Sequence, residues 1–596
     1  MKDVWIAGIT RGHNATVCLL KNGKIVFNIE EERLSRNKYD GGPFAAMTKI
    51  KEFTDRLDYI AIAHTQPLSE SAAKVDYTGD DIYTGFARKL GLIRRKENKY
   101  KHPQVIDLSH IHHKLHAACA FYRSGFKTAA ALVVDGAGTF LPLSANDKEM
   151  FGFETETIYN CAYPNTFTTV YKHVGLGDNA VGTIIKDFSS EIYGEKNSTH
   201  EVVFSDTAGI VKAYEAATDY CGWHSIEAGK TMGLFPYGKP NDAIPPLFDN
   251  TTTVPVSNRN LIVPTYPNGA KINAGLYEFL DPTDSDDVSL LDNRRDIAYA
   301  VQTQTQEQVL KLIRKAVKMT GHKQVVISGG YGLNCVANYY YLEHLKDEGI
   351  EIYVEPISND SGTAIGAALL IYKDLNHQDD VDYSKDGLYL GFDYNYTIDD
   401  ITTVANNYGG EVRDVTDSDV VELLLNKNIV SFFQGRSECG PRALGNRSIL
   451  FNPTYEDGKD FVNSVKHREY FRPFAGSILQ EHVHDWFDLR GMQDSPYMMY
   501  AVNCQPGIAE KIPSIIHIDG TCRIQTVTSE QNEHYYNLIN AFYKKTGVPI
   551  LFNTSFNLGG DPLVETLTDA VETLANSEIE YLYLPELGKL IYIKNL

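Results

Sequence analysis

The chain reads as a two-domain α/β protein, and three observations carry that reading. Its 596 residues exceed what one hydrophobic core ordinarily organises. Apolar strands run into glycine-containing turns and then helices, at 129–140 and again at 324–334. From about residue 398 arginines set among Gly, Pro and aromatic residues take over. We expect a first domain over 1–375, a polar linker over 376–397 and a second domain over 398–596.

Taken in order, residues 3–9 form a short strand, and Thr10–Asn14 is a turn containing His13. Two further strands meet at Asn22-Gly23, a strong hairpin signal. Strand, polar turn and hairpin is how the actin-like, sugar-kinase-like ATPase fold begins. Residues 31–38 (EERLSRNK) read as a solvated charge run, although the grouping of Arg33, Arg36 and Lys38 also suits anion binding. Residues 88–102 are the one basic stretch, best read as a solvated helix and loop, with an anionic acceptor as the alternative.

At 112–122 (HHKLHAACAFY) a helix is expected, and His112 and His116 share one face at i and i+4. Two such imidazoles are half of a metal site, to be completed by an oxygen ligand. Asp360, at the mouth of a small-residue helix, is the candidate. The strand ending in Asp135-Gly136-Ala137-Gly138 and the turn Gly329-Gly330 suit backbone contact with phosphate, and the Asp135 carboxylate would address metal or water. Glu227–Leu234 (EAGKTMGL) reads as a nucleotide clamp or a plain tight loop, residues 241–292 as a surface excursion, and 296–320 as an amphipathic helix.

The second half carries GRSECGPRALGNRS (435–448), KHREYFRPF (466–474), DGTCRIQ (519–525) and FNTSFN (552–557). Guanidinium forks placed beside Gly, Pro and aromatic residues hold phosphate or carboxylate oxygens at two points. A multiply charged ligand is the economical expectation.

Composition narrows the class. With 43% hydrophobic and 22% charged residues this is a folded globular protein. A net charge of −21 argues against a dedicated nucleic-acid coat. The eight cysteines are scattered, without a CxxC pair, as in reduced intracellular proteins. No signal peptide or membrane-length apolar run is present, so we expect a cytoplasmic protein without membrane association.

In this order, HNATVCLLKNGKIV…EEERLSR, HHKLHAACAFY, DGAG, EAGKTMGL, GGYGLNCVAN, GPRALGNRSIL, REYFRPFA and NTSFN resemble the O-carbamoyltransferases of the nodulation-factor, cephem and tobramycin type. The resemblance runs from near residue 4 to near 575. It implies an N-terminal actin-like ATPase domain (ASKHA type, a duplicated ribonuclease-H-like fold) and a C-terminal YrdC-like α/β domain. It implies that the second domain makes carbamoyl-adenylate from carbamoyl phosphate and ATP with Mg²⁺. The first domain then passes the carbamoyl group to an acceptor hydroxyl beside a divalent ion, Fe²⁺ first, with Mn²⁺ or Zn²⁺ as alternatives. Carried over, the ion sits on His112, His116 and Asp360. The phosphates meet Arg442, Arg447, Ser448, Lys466, Arg472 and Arg523, beside Asn553, Ser555 and Asn557. The adenylate meets Asp135, Gly136, Lys230, Gly233, Gly329, Gly330 and Asn334.

Transfer to an alcohol needs a base, a cation for the developing oxyanion and a stabilised leaving group. His13 is the expected base, against a buried structural imidazole, and Lys38 and Arg442 complete the expected catalytic set. The turn TRGHNA lacks the second His or Asp common in the family, and LFPYG and DGAG depart by single apolar residues. The expected acceptor is a small-molecule hydroxyl on a sugar or natural-product alcohol. A hydroxymethylated nucleotide or DNA base is the alternative, so a nucleic-acid partner stays open without being favoured. A homodimer is compatible with the resemblance. Two other classes compete: a phosphate-transferring sugar-kinase-like ATPase, and a threonylcarbamoyl-type tRNA-modification or binding protein.

Overall fold

The computed structural model describes residues 3–66, 81–94, 102–145, 148–176, 201–205, 208–250, 255, 257–258, 260–264, 270–273, 292–376 and 387–594. Residues 95–101 of the basic stretch, all of 177–200 and much of 241–292 lie outside them. The chain forms two compact units, Met1–Glu31 with Gly41–Lys385, and Glu32–Asp40 with Asp386–Leu596. Residues Glu32–Asp40, assigned by sequence to the first domain, therefore cluster with the second unit.

The first unit holds two sheets of one design. The first contains β1 (Trp5–Thr10), β2 (Thr16–Lys21), β3 (Lys24–Glu30), β4 (Tyr59–Ala63) and β5 (Val105–Asp107), in the order β3-β2-β1-β4-β5. The β1–β2 and β2–β3 pairs are antiparallel, and β1–β4 and β4–β5 are parallel. Asn22 (φ +52°) and Gly23 (φ +83°) both adopt the left-handed conformation that the two-residue β2–β3 turn requires.

The second sheet contains β6 (Thr128–Val134), β7 (Phe140–Ala145), β8 (Lys148–Ala162), β9 (Thr166–Leu176) and β10 (Glu201–Ser205). A separate ribbon is made of β11 (Ile262–Pro264) and β12 (Ala270–Ile272), and the sheet is completed by β13 (Gln324–Ser328) and β14 (Glu351–Val354). Its path β9-β8-β6-β13-β14 repeats the first sheet's order and strand directions, with β10 added at the edge. Two antiparallel steps followed by two parallel ones, made twice, is the duplicated ribonuclease-H-like plan of actin-like ATPases.

Close packing of small residues joins the halves of this unit. The histidine helix, His112–Ser124, lies against the helix Ser361–Asn376. A Cβ on Gly366 would sit 2.0 Å from Leu115 O, and one on Gly8 would sit 1.9 Å from Ala364 O. Glycine is required at both because backbone meets backbone there.

The second unit is built on one mixed ten-stranded sheet. Its strands are β15 (Glu411–Asp414), β16 (Val430–Phe433), β17 (Arg447–Phe451), β18 (Ala475–Leu479), β19 (Phe487–Asp488), β20 (Ala501–Cys504), β21 (Thr521–Val527), β22 (Ile550–Ser555), β23 (Tyr581–Leu584) and β24 (Lys589–Tyr592). Their order is β15-β24-β23-β16-β17-β22-β18-β21-β20-β19. The helices Ile398–Asn407, Asp417–Leu425 and Leu567–Ala575 each start with a Thr–Asp capping box. Among the described residues no helix is long and apolar enough to cross a membrane.

Two sequence expectations change on this scaffold. Glu227–Leu234 is not a tight loop, because Ala228–Leu234 is helical. The 31–38 run is not a solvated face, because Glu31, Glu32 and Arg33 are buried.

Candidate functional site

In the first unit, three kinds of chain end bring four ligand atoms together. His112 and His116 lie on the first turns of the histidine helix, Asp135 just beyond β6, and Asp360 just before the helix Ser361–Asn376. The two Nε2 atoms are 3.2 Å apart, and Asp360 Oδ1 lies 3.5 Å from His112 Nε2 and 3.4 Å from His116 Nε2. Asp135 Oδ2 is 3.8 Å from His112 Nε2, and all four ligand atoms fall within 4.8 Å of one another. Two imidazoles and two carboxylates form a donor set that fits a divalent ion such as Fe²⁺, Mn²⁺ or Zn²⁺. His112 Nδ1 is buried without a hydrogen-bond partner.

The charges in the cluster are complementary. Burial opposes ionisation of Asp360, but His112 and His116 outweigh it and hold the carboxyl well below the usual range. Asp135 is also lowered, against burial and Asp360, by His116, His112 and His113. His112 is raised, since Asp360, Asp135 and Glu154 outweigh burial. Asp135, expected from its strand end to address metal or water and from the resemblance to meet the adenylate, accepts at Oδ1 from Gly330 N (2.9 Å) and turns Oδ2 to the histidines.

A buried layer supports the ligands. Glu154, on β8 at a bulge, accepts from Thr139 N (2.9 Å) and His113 N (3.4 Å) and pairs with the Lys172 ammonium. Thr139 Oγ1 in turn accepts from His112 N (3.0 Å), so one carboxylate ties the turn after β6 to the start of the histidine helix. Burial works to raise Glu154, yet Lys172 and His113 hold it at about 2. Burial pushes His113 down to about 4. At the other end of the helix, Arg123 pairs with buried Glu355 (3.2 Å), whose Oε1 accepts from Ile357 N in the segment leading to Asp360.

His13 is exposed, so it is not the buried structural imidazole that competed with its reading as a base, and its charge reaches Asp360. Sequence reasoning missed His64, one residue past β4. Burial first, then Arg11, push it down to about 4, and it interacts electrostatically with His112 and Asp360. A histidine ending a buried strand (IAIAH) was the available signal.

The expected adenylate residues divide. Gly329 (φ +89°) packs so closely on β6 that a Cβ would sit 2.3 Å from Val134 O. Gly136 faces Glu215, 2.8 Å from where its Cβ would be. Asn334 caps the helix Cys335–Leu345 through Ala337 N and exchanges hydrogen bonds with Gln302, which gives its amide a structural task. Lys230 pairs with Glu227 (2.8 Å) on the short helix that also carries Gly233.

In the second unit the arginines are of two kinds. Arg447, expected on phosphate, is fully buried and donates to five carbonyl contacts: Gln434, Gly435, Asn446 and, twice, Glu565. With its fork filled by backbone it holds the loop 434–446 and is not a ligand contact. Ser448 likewise accepts from Gly445 N within that loop.

Lys466, Arg468, Arg472 and Arg523 face one another instead. Burial first, then Arg468 and Arg472, push Lys466 well below the ordinary lysine value. Burial, Arg472 and Arg523 do the same to Arg468, which stands over the Phe474 ring at 4.8 Å. The Nε atoms of Arg468 and Arg523 are buried without partners. Lys466 reaches Ser555 and Asn557, and Ser555 Oγ donates to Asn557 Oδ1 (2.5 Å). Asn553 is buried beside Ser477 and Gln525. Arg442 is half-buried in the loop 434–446, and Lys38 pairs with Glu32 (2.7 Å). Arg468, passed over in the sequence, sits three residues from the aromatic Phe471 and four from Arg472, a cationic spacing that was visible.

Comparison with known families matches residues 52–369 to "Carbamoyltransferase N-terminus" and residues 421–589 to "Carbamoyltransferase C-terminus". The chain is 30% identical to the uncharacterised protein sll1178 of Synechocystis, over 96% of this chain and 94% of that one. It is 28% identical to nodulation protein NolNO of Sinorhizobium fredii, over 95% of this chain and 77% of that one. It is 30% identical to nodulation protein NolO of Bradyrhizobium diazoefficiens, over 79% and 76%. Among solved structures, full-length HypF in its phosphate- and nucleotide-bound form covers 63% of this chain and 56% of its own, at 14% identity and TM-score 0.35. That likeness is too distant to add to the strand orders above. Matched in both halves and along nearly its whole length, the chain belongs to the carbamoyltransferase family of transferase enzymes.

Proposed function

We propose that the protein is an ATP-dependent O-carbamoyltransferase that works in two half-reactions. The observation that carries this reading is buried Lys466 grouped with the half-buried Arg468, Arg472 and Arg523, whose mutual repulsion calls for a polyanion. Phosphates of ATP and carbamoyl phosphate are such ligands; Ser555 and Asn557 meet Lys466, and Arg442 stands in the separate loop 434–446. Balance requires that carbamoyl phosphate lose its phosphate to water, giving carbamate. A carbamate oxygen then attacks the α-phosphorus of ATP, and pyrophosphate leaves with its charge met by the cations.

In the second half-reaction the acceptor oxygen attacks the carbamoyl carbon, its proton goes to a base, and AMP leaves. His13 is that base in our reading, because it is exposed and within electrostatic reach of Asp360. His112, His116, Asp360 and Asp135 would hold a divalent ion, which when bound supplies Lewis acidity to a developing oxyanion. The nodulation relatives favour a sugar or natural-product hydroxyl as acceptor.

The test is incubation of purified protein with ATP, carbamoyl phosphate and a divalent metal, without acceptor. Pyrophosphate and carbamoyl-adenylate should form, Arg442→Ala should lose both, and His116→Ala should keep both; in a parallel incubation with an alcohol acceptor, His116→Ala should lose transfer. Transfer lost together with adenylate formation in His116→Ala would sink the division of labour.

A further inference from the structure

The segment Glu32–Asp40 leaves the first unit after its first three strands, joins the second, and returns. Sequence reasoning offered its cations to an anion, but the structure gives two of them to backbone. Buried Arg33 donates from Nη1 to Glu438 O (3.3 Å) and from Nη2 to Gly440 O (3.0 Å). Arg36 donates from Nη1 to Leu563 O (2.6 Å) and from Nη2 to Pro562 O (3.1 Å), with its Nε 3.8 Å from Asp569. Each fork therefore bridges two carbonyls of a loop more than 400 residues away in sequence.

The two loops are those that carry the proposed phosphate contacts. Glu438–Gly440 belongs to the connection 434–446 between β16 and β17, which presents Arg442. So long a connection is costly to order and needs fixed anchors. It has them on both sides of Arg442. Arg33 takes the carbonyls before it, and Glu438 Oε1 accepts from the N–H groups of Leu444 (2.7 Å), Asn446 (2.8 Å) and Arg447 (3.2 Å) after it. Pro562–Leu563 closes the connection that leaves β22 with Ser555 and Asn557, where Asn557 Nδ2 donates to Asp561 O (2.7 Å).

The strap is itself stiff. Glu32 accepts from Lys38 Nζ (2.7 Å) and Tyr39 N (2.9 Å), folding the segment onto itself. Arg36 (φ +59°) and Tyr39 (φ +61°) are both left-handed, a conformation that non-glycine residues keep only when their surroundings impose it.

We propose that Arg33 and Arg36 are positioning residues for the carbamoyl-activating half-reaction, clamping the Arg442 loop and the Ser555–Asn557 connection by their carbonyls. The inference rests on the activation chemistry proposed above. A lysine would keep the charge at position 33 but lose the two-point grip. The fork at Arg33 orders a loop, while Arg442 meets ligand. Loss of the fork raises the KM for carbamoyl phosphate and lowers kcat without unfolding the chain.

The experiment measures carbamoyl-phosphate-dependent ATP–pyrophosphate exchange, pyrophosphate affinity by calorimetry, and Tm, on full-length wild type, Arg33→Lys, Arg33→Ala and Arg36→Lys. We expect kcat/KM for carbamoyl phosphate to fall by about 10- to 100-fold in Arg33→Lys, with Tm near wild type. Added guanidinium should restore much of the activity of Arg33→Ala. Should the position 33 variants fail to fold, half-exposed Arg36 carries the same comparison. Wild-type exchange in Arg33→Lys and Arg36→Lys, or losses that follow the folded fraction alone, would overturn the inference. A wild type that binds pyrophosphate but shows no exchange would instead overturn the activation chemistry. The clamp is then judged on whether Arg33→Lys weakens pyrophosphate binding, and equal affinity refutes it.

Discussion

The histidine–aspartate cluster and the arginine-rich loops both bury charge, but they balance it in opposite ways. In the first unit each charge meets its complement: Asp360 faces two imidazoles, Glu154 faces Lys172, and Glu355 faces Arg123. In the second unit Lys466, Arg468, Arg472 and Arg523 repel one another, with Glu469 beside Arg472 (3.5 Å) as their carboxylate and with Ser555 and Asn557 giving Lys466 neutral acceptors. A complementary cluster is internally satisfied and shows which ion it could hold through its donor types. A like-charged cluster keeps an excess of one sign after its protein partners are counted, and that imbalance points to a ligand of the opposite sign. The same contrast separates arginines within one unit. Arg447 donates to carbonyls on every side, whereas Arg468 interacts with Arg472 and Arg523, opposed by Glu469, the environment that the proposed anion would complete.

That contrast breaks if Arg447 proves dispensable for folding. Arg447→Met leaves the carbonyls of Gln434, Gly435, Asn446 and Glu565 without their buried donor. We expect a loss of about 3–5 kcal/mol in denaturant unfolding, the range for breaking buried charged hydrogen-bond sets. A stable Arg447→Met that merely binds pyrophosphate poorly would place it among the ligand contacts after all.

The support beneath the histidine helix gives the next largest effect. Glu154→Gln keeps an acceptor for Thr139 N but leaves Lys172 buried opposite a neutral amide, and should cost about 2 kcal/mol. Pairing it with Lys172→Met should recover part of that cost, because the two side chains share one interaction. Simple additivity in the double variant would show that the pair does not act as a unit. The pH dependence has a definite sign. The Glu154 carboxyl lies at about 2, below its unfolded value, so its stabilisation is complete above about pH 4.3 and is lost as pH falls toward 2.

How much of this was legible in the sequence depends on how local each cause is. The Asn22-Gly23 turn and the i,i+4 histidines are set by neighbours in the chain, and both stand where the sequence places them. Asp135 was seen as a strand-end carboxylate, but its distance from His112 depends on how β6 meets the histidine helix. The role of Arg447 was hidden because its acceptors lie as far away as Glu565, and a carbonyl acceptor leaves no mark on side-chain sequence. Arg33 was misread for the same reason. A run of charges looks solvated until the distant backbone that it binds is known. The two glycines in 227–234 left a nucleotide clamp or a tight loop open, and the loop gave way because Ala228, Lys230, Met232 and Leu234 are sound helix formers.

The cationic side of the comparison is sharpened by Arg468→Met. Removing one of four clustered cations should leave stability unchanged or raise it by up to about 1 kcal/mol, while pyrophosphate affinity falls by about tenfold. The opposite pattern, lost stability with intact affinity, would make Arg468 a scaffold residue like Arg447.

The smallest effect is also the most direct report on the cluster's imbalance. In the free protein burial, Arg468 and Arg472 push the Lys466 pKa well below its ordinary value. A bound anion counters that repulsion and raises it again. Binding therefore takes up a fraction of a proton at pH values between the free and bound pKa of Lys466. By linkage, this contribution to affinity is complete below the free-state pKa and is lost as pH rises through the bound-state value. Calorimetry of pyrophosphate binding in two buffers of different ionisation heat measures that uptake. Arg468→Met should shrink it, since with one neighbouring cation gone Lys466 is already more fully charged. Equal heats in both buffers across that pH range would mean that Lys466 keeps its proton despite its neighbours, and that the like charges are compensated before any ligand arrives.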